Sequence, residues 1–280
     1  LHDPDRLAIP PGWTDKVPEA DLPFQPGYFD NTTLTEDALR RVLAYYYATI
    51  TQLDHHVGRM LDTLTAYGLD ENTMVIFTAD HGEYLGFHHQ LLKAGRWLYD
   101  PLVRVPLLIR YPGGYRAGEI DDTLVSQLDL APTICSAAGV PWTPTPGHDL
   151  GSHGADRDVV ITETVGATAY MARSATHKLL RTVDGRHDAL FDLDTDPYEL
   201  TNVLGDPEHA TVCAGLDAAL TREIMFHAPP PTYLDDAAPC IDAPNVPARD
   251  DARVADARAY FATRTRAYSS HTESPETRTT

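Results

Sequence analysis

Apolar residues recur at helical spacing over a segment that begins near Thr35 and ends near Tyr67. The periodic positions are Leu39, Leu43, Tyr46, Ile50, Leu53, Val57, Met60, Leu61 and Leu64. Thr33 and Glu36 have the spacing of a capping box, and Gly68 supplies a C-terminal stop. The pattern predicts one long amphipathic helix that packs against a flat surface.

Two short apolar runs follow this helix. Residues 73–78 (TMVIFT) are rich in strand formers and are typical of a strand buried on both faces. A helix followed by a buried strand indicates an α/β layer. The second run, residues 103–110, contains Pro106, which favours an edge position or an interrupted ladder.

The chain changes character after residues 126–138, which predict a short helix capped by Asp129 or a neighbour. Residues 141–154 are rich in proline and glycine and mark a boundary. Four strand candidates separated by turn signals then predict a small antiparallel sheet: residues 158–164, 170–172, 177–182 and 189–193. Residues 211–226 predict a closing helix.

These patterns predict an α/β fold, a central sheet flanked by helices, with a small C-terminal subdomain built on an antiparallel sheet. The predicted segments are an N-terminal loop (1–27), an α/β part (28–155), a small α+β subdomain (156–227) and an acidic, proline-rich tail (228–280). The tail is expected to be partly disordered, with one helix at residues 252–264.

Composition narrows the choice of partners. The 280 residues carry 41 acidic and 22 basic side chains, a formal charge of -19, which argues against nucleic acid and anionic membranes. No apolar run approaches the roughly 20 residues that span a bilayer. The lysines are few: Lys16, Lys93 and Lys178. Three cysteines form no even disulfide set, and residues 1–27 lack the basic flank and the apolar region of a signal peptide. Both observations favour a reducing compartment such as the cytoplasm.

The sharpest chemical feature is Asp80-His81-Gly82-Glu83, directly after the predicted strand at residues 73–78. In open α/β sheets, ligands bind beyond the carboxyl ends of strands. A turn permitted by Gly82 brings the carboxylate and the imidazole round to one ion, and these ligands suit Ca²⁺, Mn²⁺ or Zn²⁺. The alternative is an Asp that caps the next segment and a His that packs.

The surrounding sequence resembles the sulfatase family of the alkaline phosphatase superfamily. The resemblance lies in blocks that occur in the family's order across about residues 35–205: residues 45–75, 80–93, 98–100, 104–112, 129–133 and 190–202. It implies an alkaline phosphatase-like sheet, one divalent cation and a nucleophile derived from Cys or Ser. Ca²⁺ is the cation that we expect first. Asp80 and His81 match two of the metal ligands, and Lys93 matches the lysine that contacts the anionic oxygens of the substrate.

Other residues of the same stretch are weaker candidates. His88, His89, Arg96 and Tyr99 are predicted at the rim of the pocket, although loop histidines beside aromatic residues usually pack or hydrate. Cys135 falls on the apolar face of a helix and lacks the Cys/Ser-x-Pro-x-Arg setting of the family's nucleophile, so no catalytic role is predicted for it.

No Cys or Ser of the sequence stands in that nucleophile motif. We therefore expect a C-terminal portion of a sulfatase-type hydrolase, whose partners are a small anionic ester and an absent N-terminal portion, and expect this chain alone to be inactive. Phosphonate monoester or phosphodiester hydrolysis is the alternative within the superfamily, because an Asp-His pair also occurs in such enzymes. A noncatalytic binding protein is the rival from another class. Unpaired strand edges would favour homo-oligomers.

Overall fold

The computed structural model describes residues 1–18, 31–91, 93, 97–142, 146–152, 157–164 and 168–226. The chain divides into two compact units, Leu1–Ala228 and Pro229–Thr280, and every described residue lies in the first. The predicted tail and its helix at residues 252–264 therefore lie outside the described residues. The four predicted segment boundaries stay predictions.

The long helix predicted from the apolar spacing is present as α1, Glu36–Ala66. Its N-cap is Thr35, whose hydroxyl accepts a hydrogen bond from the Ala38 N–H at 3.2 Å, so the predicted capping box starting at Thr33 is wrong. Gly68 follows the helix with a φ of 65°, a left-handed conformation that ends it as predicted.

Only the first turns of α1 are buried. Leu39 and Leu43 pack with Leu34 and Leu91 in one core cluster. Farther along the helix the apolar side chains Tyr45, Ile50, Leu53 and Met60 are exposed. The expected packing on a flat surface is therefore confined to the N-terminal part of α1 within the described residues, and homo-oligomer formation stays a prediction. Among the described helices none is both long and apolar enough to cross a bilayer.

The two apolar runs form a two-stranded sheet. Strand β1, Val75–Thr78, pairs antiparallel with β2, Leu107–Arg110, so that Val75 lies opposite Arg110 and Thr78 opposite Leu107. Strand β2 begins directly after Pro106, which fits a residue that has no N–H for the ladder. Burial on both faces was predicted for β1, but its residues are half-buried and Phe77 is exposed. A short helix, α2, Asp100–Val103, precedes β2.

The predicted short helix near residue 130 is confirmed as α3, Leu130–Ala137, entered through a 3-10 turn at Gln127–Asp129. Ser126 caps the turn, and Asp129 closes a capping box with it. The fully buried Asp129 carboxylate also accepts two hydrogen bonds from Arg157, at 2.6 and 2.8 Å. Burial acts to raise the pKa of Asp129, but the Arg157 guanidinium and the backbone N–H groups of Ser126 and His148 together hold that pKa below its usual range.

The four predicted C-terminal strands are all present and form one antiparallel sheet in the order β3-β4-β5-β6. They are β3 (Val160–Glu163), β4 (Ala169–Arg173), β5 (His177–Thr182) and β6 (Ala189–Asp192). The closing helix is confirmed as α4, Ala210–Phe226.

Both faces of this sheet are covered, which explains why its strands carry adjacent apolar residues instead of a strict alternation. Leu179 and Leu190 face Leu216 and Leu220 of α4. The opposite face packs against an aromatic cluster from the loop between β1 and α2, and this second cluster comprises Tyr84, Phe87, Trp97, Leu98, Tyr99, Met171, Leu180, Ala189 and Phe191. The mixed α/β fold thus joins residues on both sides of position 155 in one core.

Candidate functional site

Asp80 and His81 lie just past the carboxyl end of β1. The side-chain amide of Gln127 donates to the backbone carbonyl oxygens of Ala79 and Asp80, at 2.6 and 3.1 Å, and so holds the chain that carries the pair. The Asp80 side chain is 86% exposed and that of His81 is 31% exposed. The backbone is fixed while the carboxylate remains open to solvent.

Gly82 allows the loop after the pair to lie against α2. Its N–H donates to the Leu102 carbonyl oxygen at 2.8 Å. A Cβ atom at this position would stand 1.9 Å from the carbonyl oxygen of Pro101, so no other residue fits without a backbone shift. The sequence prediction gave Gly82 a turning role through its conformational freedom. Gly82 is not among the glycines with positive φ, and the need for glycine comes from this close approach.

His81 and Lys93 meet although eleven residues separate them in the chain. The Lys93 Nζ atom lies 2.8 Å from His81 Nε2, and Asp80 Oδ2 lies 3.4 Å from the same nitrogen. On the other side of the ring, His81 Nδ1 is 2.9 Å from the Gly82 carbonyl oxygen. Because a carbonyl oxygen only accepts, Nδ1 carries the proton and Nε2 presents a lone pair.

This arrangement fits a divalent cation at the Asp80 and His81 side chains. Two ligands of one tetrahedral Zn²⁺, or adjacent ligands of Ca²⁺, stand about 3.3–3.4 Å apart at ordinary bond lengths. The 3.4 Å between Asp80 Oδ2 and His81 Nε2 matches this separation. Donation from the distal ring nitrogen to a backbone carbonyl is also how metal-binding histidines are commonly oriented. The roles of Asp80, His81 and Lys93 stay predictions.

His88 and His89, predicted at a pocket rim, are buried inside the protein. His88 Nε2 lies 2.9 Å from the Tyr198 carbonyl oxygen, which links this loop to the C-terminal sheet region. His89 stacks on the Trp13 ring, with centroids 4.3 Å apart, and its Nδ1 lies 2.6 Å from the Thr14 carbonyl oxygen. Both histidines therefore pack against neighbouring segments, contrary to the predicted position at an open rim.

Tyr99 is also interior, contrary to its predicted rim position. It is the N-terminal neighbour of α2, and its ring stacks on Trp97 at 5.4 Å and lies 6.0 Å from Phe191. Burial in this aromatic cluster joins the loop to β6 and leaves no surface for substrate contact. Arg96, the fourth predicted rim residue, lies outside the described residues.

A buried ion cluster next to the aromatic residues was missed by the sequence analysis. Lys178 on β5 is fully buried and contacts both the Asp100 carboxylate and Glu199 Oε1, the latter at 2.6 Å. It also donates to the Leu98 carbonyl oxygen at 3.3 Å, and the Asp100 N–H donates to Glu199 at 2.8 Å. The scarcity of lysine gave only a weak signal, because the partners are 78 and 21 positions away in the chain.

The two carboxylates of this cluster are perturbed in opposite directions. Burial raises the pKa of Glu199, and the Lys178 ammonium opposes this only in part. At Asp100 burial also acts to raise the pKa, but Lys178, Arg173 and Arg104 together hold that pKa below its usual range. The cluster therefore ties together α2, β5 and the segment after β6.

Comparisons with known proteins show which family this chain is similar to. Residues 13–140 match the family model described as Sulfatase. A choline-sulfatase of Rhizobium meliloti is 32% identical over 212 residues, which cover 68% of this chain and 39% of that protein. Arylsulfatase K of Bos taurus is 30% identical over 244 residues, covering 79% of this chain and 44% of that protein. The chain thus spans about two fifths of the length of these relatives.

Solved structures show the same fold. The phosphonate monoester hydrolase of Agrobacterium radiobacter superposes with a TM-score of 0.62 at 29% identity, covering 70% of this chain and 44% of that one. The family model, which matches residues 13–140, includes β1, Asp80, His81 and Lys93. The superposition covers 70% of the chain, so it also extends beyond residue 140.

Proposed function

We propose that Asp80, His81 and Lys93 form part of the site of a metal-dependent hydrolase of sulfuric esters. The premise is that this chain belongs to the sulfatase family of the alkaline phosphatase superfamily. One observation carries the proposal: Lys93 Nζ lies 2.8 Å from His81 Nε2, beside the Asp80 carboxylate. A carboxylate and an imidazole bind a cation, and a neighbouring ammonium binds an anion, so these three adjacent groups can hold both ions side by side.

Each side chain has a distinct role in this proposal. Asp80 Oδ2 and His81 Nε2 would hold the cation, and the bond from His81 Nδ1–H to the Gly82 carbonyl keeps the ring in the required orientation. The cation would take the Nε2 lone pair that the Lys93 ammonium approaches in this structure, which would leave that ammonium to face the ester. The Lys93 ammonium neutralises the anionic oxygens of the ester as negative charge shifts to the leaving oxygen. When bound, a divalent cation, with Ca²⁺ preferred and Mn²⁺ or Zn²⁺ as alternatives, would supply Lewis-acid polarisation of the same oxygens.

The covalent step needs a nucleophile that the 280-residue sequence does not present in the Cys/Ser-x-Pro-x-Arg motif. Two protein ligands also leave most of the six to eight positions around Ca²⁺ to water. We therefore expect this chain by itself to bind Ca²⁺ weakly and to hydrolyse no ester. Turnover of an aryl sulfate by the purified chain, lost in Lys93→Ala, would contradict this expectation.

Hydrolysis of phosphonate monoesters is the second candidate. It is favoured by the superposition on the phosphonate monoester hydrolase of Agrobacterium radiobacter. A sulfate and a phosphonate monoester present similar tetrahedral anionic oxygens, so the Lys93 contact does not distinguish them. Turnover of an aryl sulfate and of a phenylphosphonate monoester by a longer protein that contains both this chain and a nucleophile segment distinguishes the two candidates.

The site itself is tested without activity, by nuclear magnetic resonance of the histidine rings. Titration with Ca²⁺ or Mn²⁺ is expected to shift or broaden the His81 ring signals at millimolar concentrations, because only two protein ligands are present. Sulfate added with Ca²⁺ is expected to shift them further in the native chain. Asp80→Asn should weaken the response to the cation, and Lys93→Ala should weaken the response to sulfate.

Lys16→Ala is the matched control, because Lys16 is an exposed lysine outside the segment that carries Asp80, His81 and Lys93. It should leave both responses unchanged. The proposal fails if His81 does not respond to any of these cations, or if the response in Asp80→Asn equals that of the native chain. Asp80 is exposed, so its substitution leaves the core intact and a negative result reports on the site.

A further inference from the structure

A second cluster of metal-ligating side chains lies on the C-terminal sheet, away from the carboxyl end of β1. It consists of His177 at the start of β5, Asp192 at the end of β6, and His209 in the 3-10 turn Pro207–His209 that leads into α4. One ligand atom from each residue lies within 4.8 Å of the others. All three side chains are partly exposed, so water has access to the point they share.

Strand register brings the first two residues together. His177 lies opposite Asp192 in the antiparallel pair of β5 and β6. The neighbouring Leu193 N–H donates to the Thr176 carbonyl oxygen at 2.8 Å, so the His177–Asp192 pair occupies a non-hydrogen-bonded position. Side chains approach most closely at such positions. Here the sheet itself sets the distance between the imidazole and the carboxylate.

The third residue arrives from a segment that is independently fixed. Asp206 caps the 3-10 turn by accepting a hydrogen bond from the Glu208 N–H at 3.0 Å, and the His209 N–H donates to the Asp206 carbonyl oxygen at 3.1 Å. The turn places His209 Nδ1 at 3.2 Å from His177 Nε2. Two imidazole nitrogens bound to one tetrahedral Zn²⁺ at usual bond lengths stand about 3.3 Å apart. The observed separation therefore matches that of two ligands of one ion.

The chemistry of the donors agrees with this geometry. Thr176 Oγ1 lies 2.9 Å from His177 Nδ1, which leaves Nε2 as the nitrogen that faces His209. Asp192 supplies a carboxylate, and its Oδ1 accepts a hydrogen bond from the Asp194 N–H at 3.1 Å. The flanking sequence adds further acidic residues that attract cations: Asp194, Asp196, Asp206 and Glu208.

We infer that His177, Asp192 and His209 form a binding site for one divalent transition-metal ion such as Zn²⁺, with water as the remaining ligand. Two imidazoles and one carboxylate are a ligand set of Zn²⁺ sites that keep an open position. The ion would link the β5–β6 pair to the start of α4, and so stabilise the packing of that helix on the sheet. This site shares no residue with the proposed site at Asp80, His81 and Lys93.

The test uses the full chain carrying Asp80→Asn and His81→Gln, which removes the other cation site. Zn²⁺ is titrated by calorimetry, and Co²⁺ is used as a spectroscopic probe of nitrogen and oxygen ligation. We expect one equivalent of Zn²⁺ to bind, and at a concentration 100-fold above Kd to raise Tm by roughly 5–10 °C. Adding His209→Asn should weaken Zn²⁺ binding by at least about 100-fold, and Asp192→Asn by at least about 10-fold.

His55→Asn is the matched control, because His55 is an exposed histidine on α1. It should leave Zn²⁺ affinity within twofold of the background protein. The Tm of each metal-free variant shows whether the sheet remains folded, which separates a lost ligand from a lost fold. The inference is overturned if His209→Asn folds normally and binds Zn²⁺ as tightly as the background protein, or if His55→Asn loses as much affinity as His209→Asn.

Discussion

Replacing the buried Lys178 with methionine is expected to destabilise the protein strongly. Lys178 is 0% exposed and Glu199 is 1% exposed, and the lysine contacts both Glu199 and Asp100. Methionine fills most of the same volume but removes the ammonium, which leaves two carboxylates close together without a cation between them. Breaking a buried ion pair in this way costs about 3–5 kcal/mol. For a unit of this size, the loss corresponds to a fall in Tm of roughly 6–20 °C.

The pH dependence gives a sharper test. In the native protein, the raised pKa of Glu199 means that its contribution to stability grows as the pH falls toward 4.5, and is lost as the pH rises through its folded-state pKa. The lowered pKa of Asp100 means that its contribution is present above 3.8 and is lost as the pH falls through its folded-state pKa. Without Lys178 the buried Glu199 has lost its cation and Asp100 keeps only the longer contacts with Arg173 and Arg104, so both carboxylates take up protons more readily. The deficit of Lys178→Met should therefore be largest near neutral pH and shrink on acidification.

Urea denaturation followed by circular dichroism measures this deficit at about pH 7.5 and about pH 5. The exposed Lys16→Met is the control, and it is expected to change the free energy of unfolding by less than about 0.5 kcal/mol. A Lys178→Met deficit below about 1 kcal/mol near neutral pH, or one that does not shrink at the lower pH, would refute the reasoning. Either result would mean that the carboxylates find solvent or other partners in the native state.

Three further predictions follow from single contacts. Arg157→Leu should cost about 3 kcal/mol in urea denaturation, because the fully buried Asp129 carboxylate keeps its backbone donors but loses its cation; a loss under about 1 kcal/mol would contradict this. Gly82→Ala should displace the loop, since a Cβ there meets the Pro101 carbonyl at 1.9 Å, and should abolish the response of the His81 ring signals to cations; an unchanged response would show that the loop adapts. Thr35→Ala should cost about 1 kcal/mol through loss of the α1 N-cap, whereas Thr33→Ala should cost less than half of that, and equal losses would argue against Thr35 as the cap.

Much of the secondary structure was predictable because its signals are local. The apolar spacing of α1, the turn-separated strands β3 to β6 and the helix α4 depend on residues that are neighbours in the chain. The details at the ends were not predictable to the same degree. Thr33 and Thr35 are equally good caps by residue type, and only the backbone of the folded helix determines which hydroxyl faces the free N–H groups.

The candidate site divides in the same way. The sequence by itself determined that Asp80 and His81 follow a strand and that Lys93 lies on the loop beyond them, because a motif is a property of consecutive residues. Tertiary structure decided that β1 pairs with β2, that Lys93 Nζ reaches His81 Nε2, and that Gly82 must be small. It also decided that His88 and His89 turn inward.

Contacts between segments that are distant in the chain could not be predicted from the sequence. Lys178 meets Asp100 across 78 positions, and His177 meets His209 across 32. No local pattern encodes such pairs, because each depends on how separate segments pack once the sheet and its two covering layers have formed. The sequence thus determined the elements and the chemical groups of this protein, and the packing of those elements decided which groups share a site.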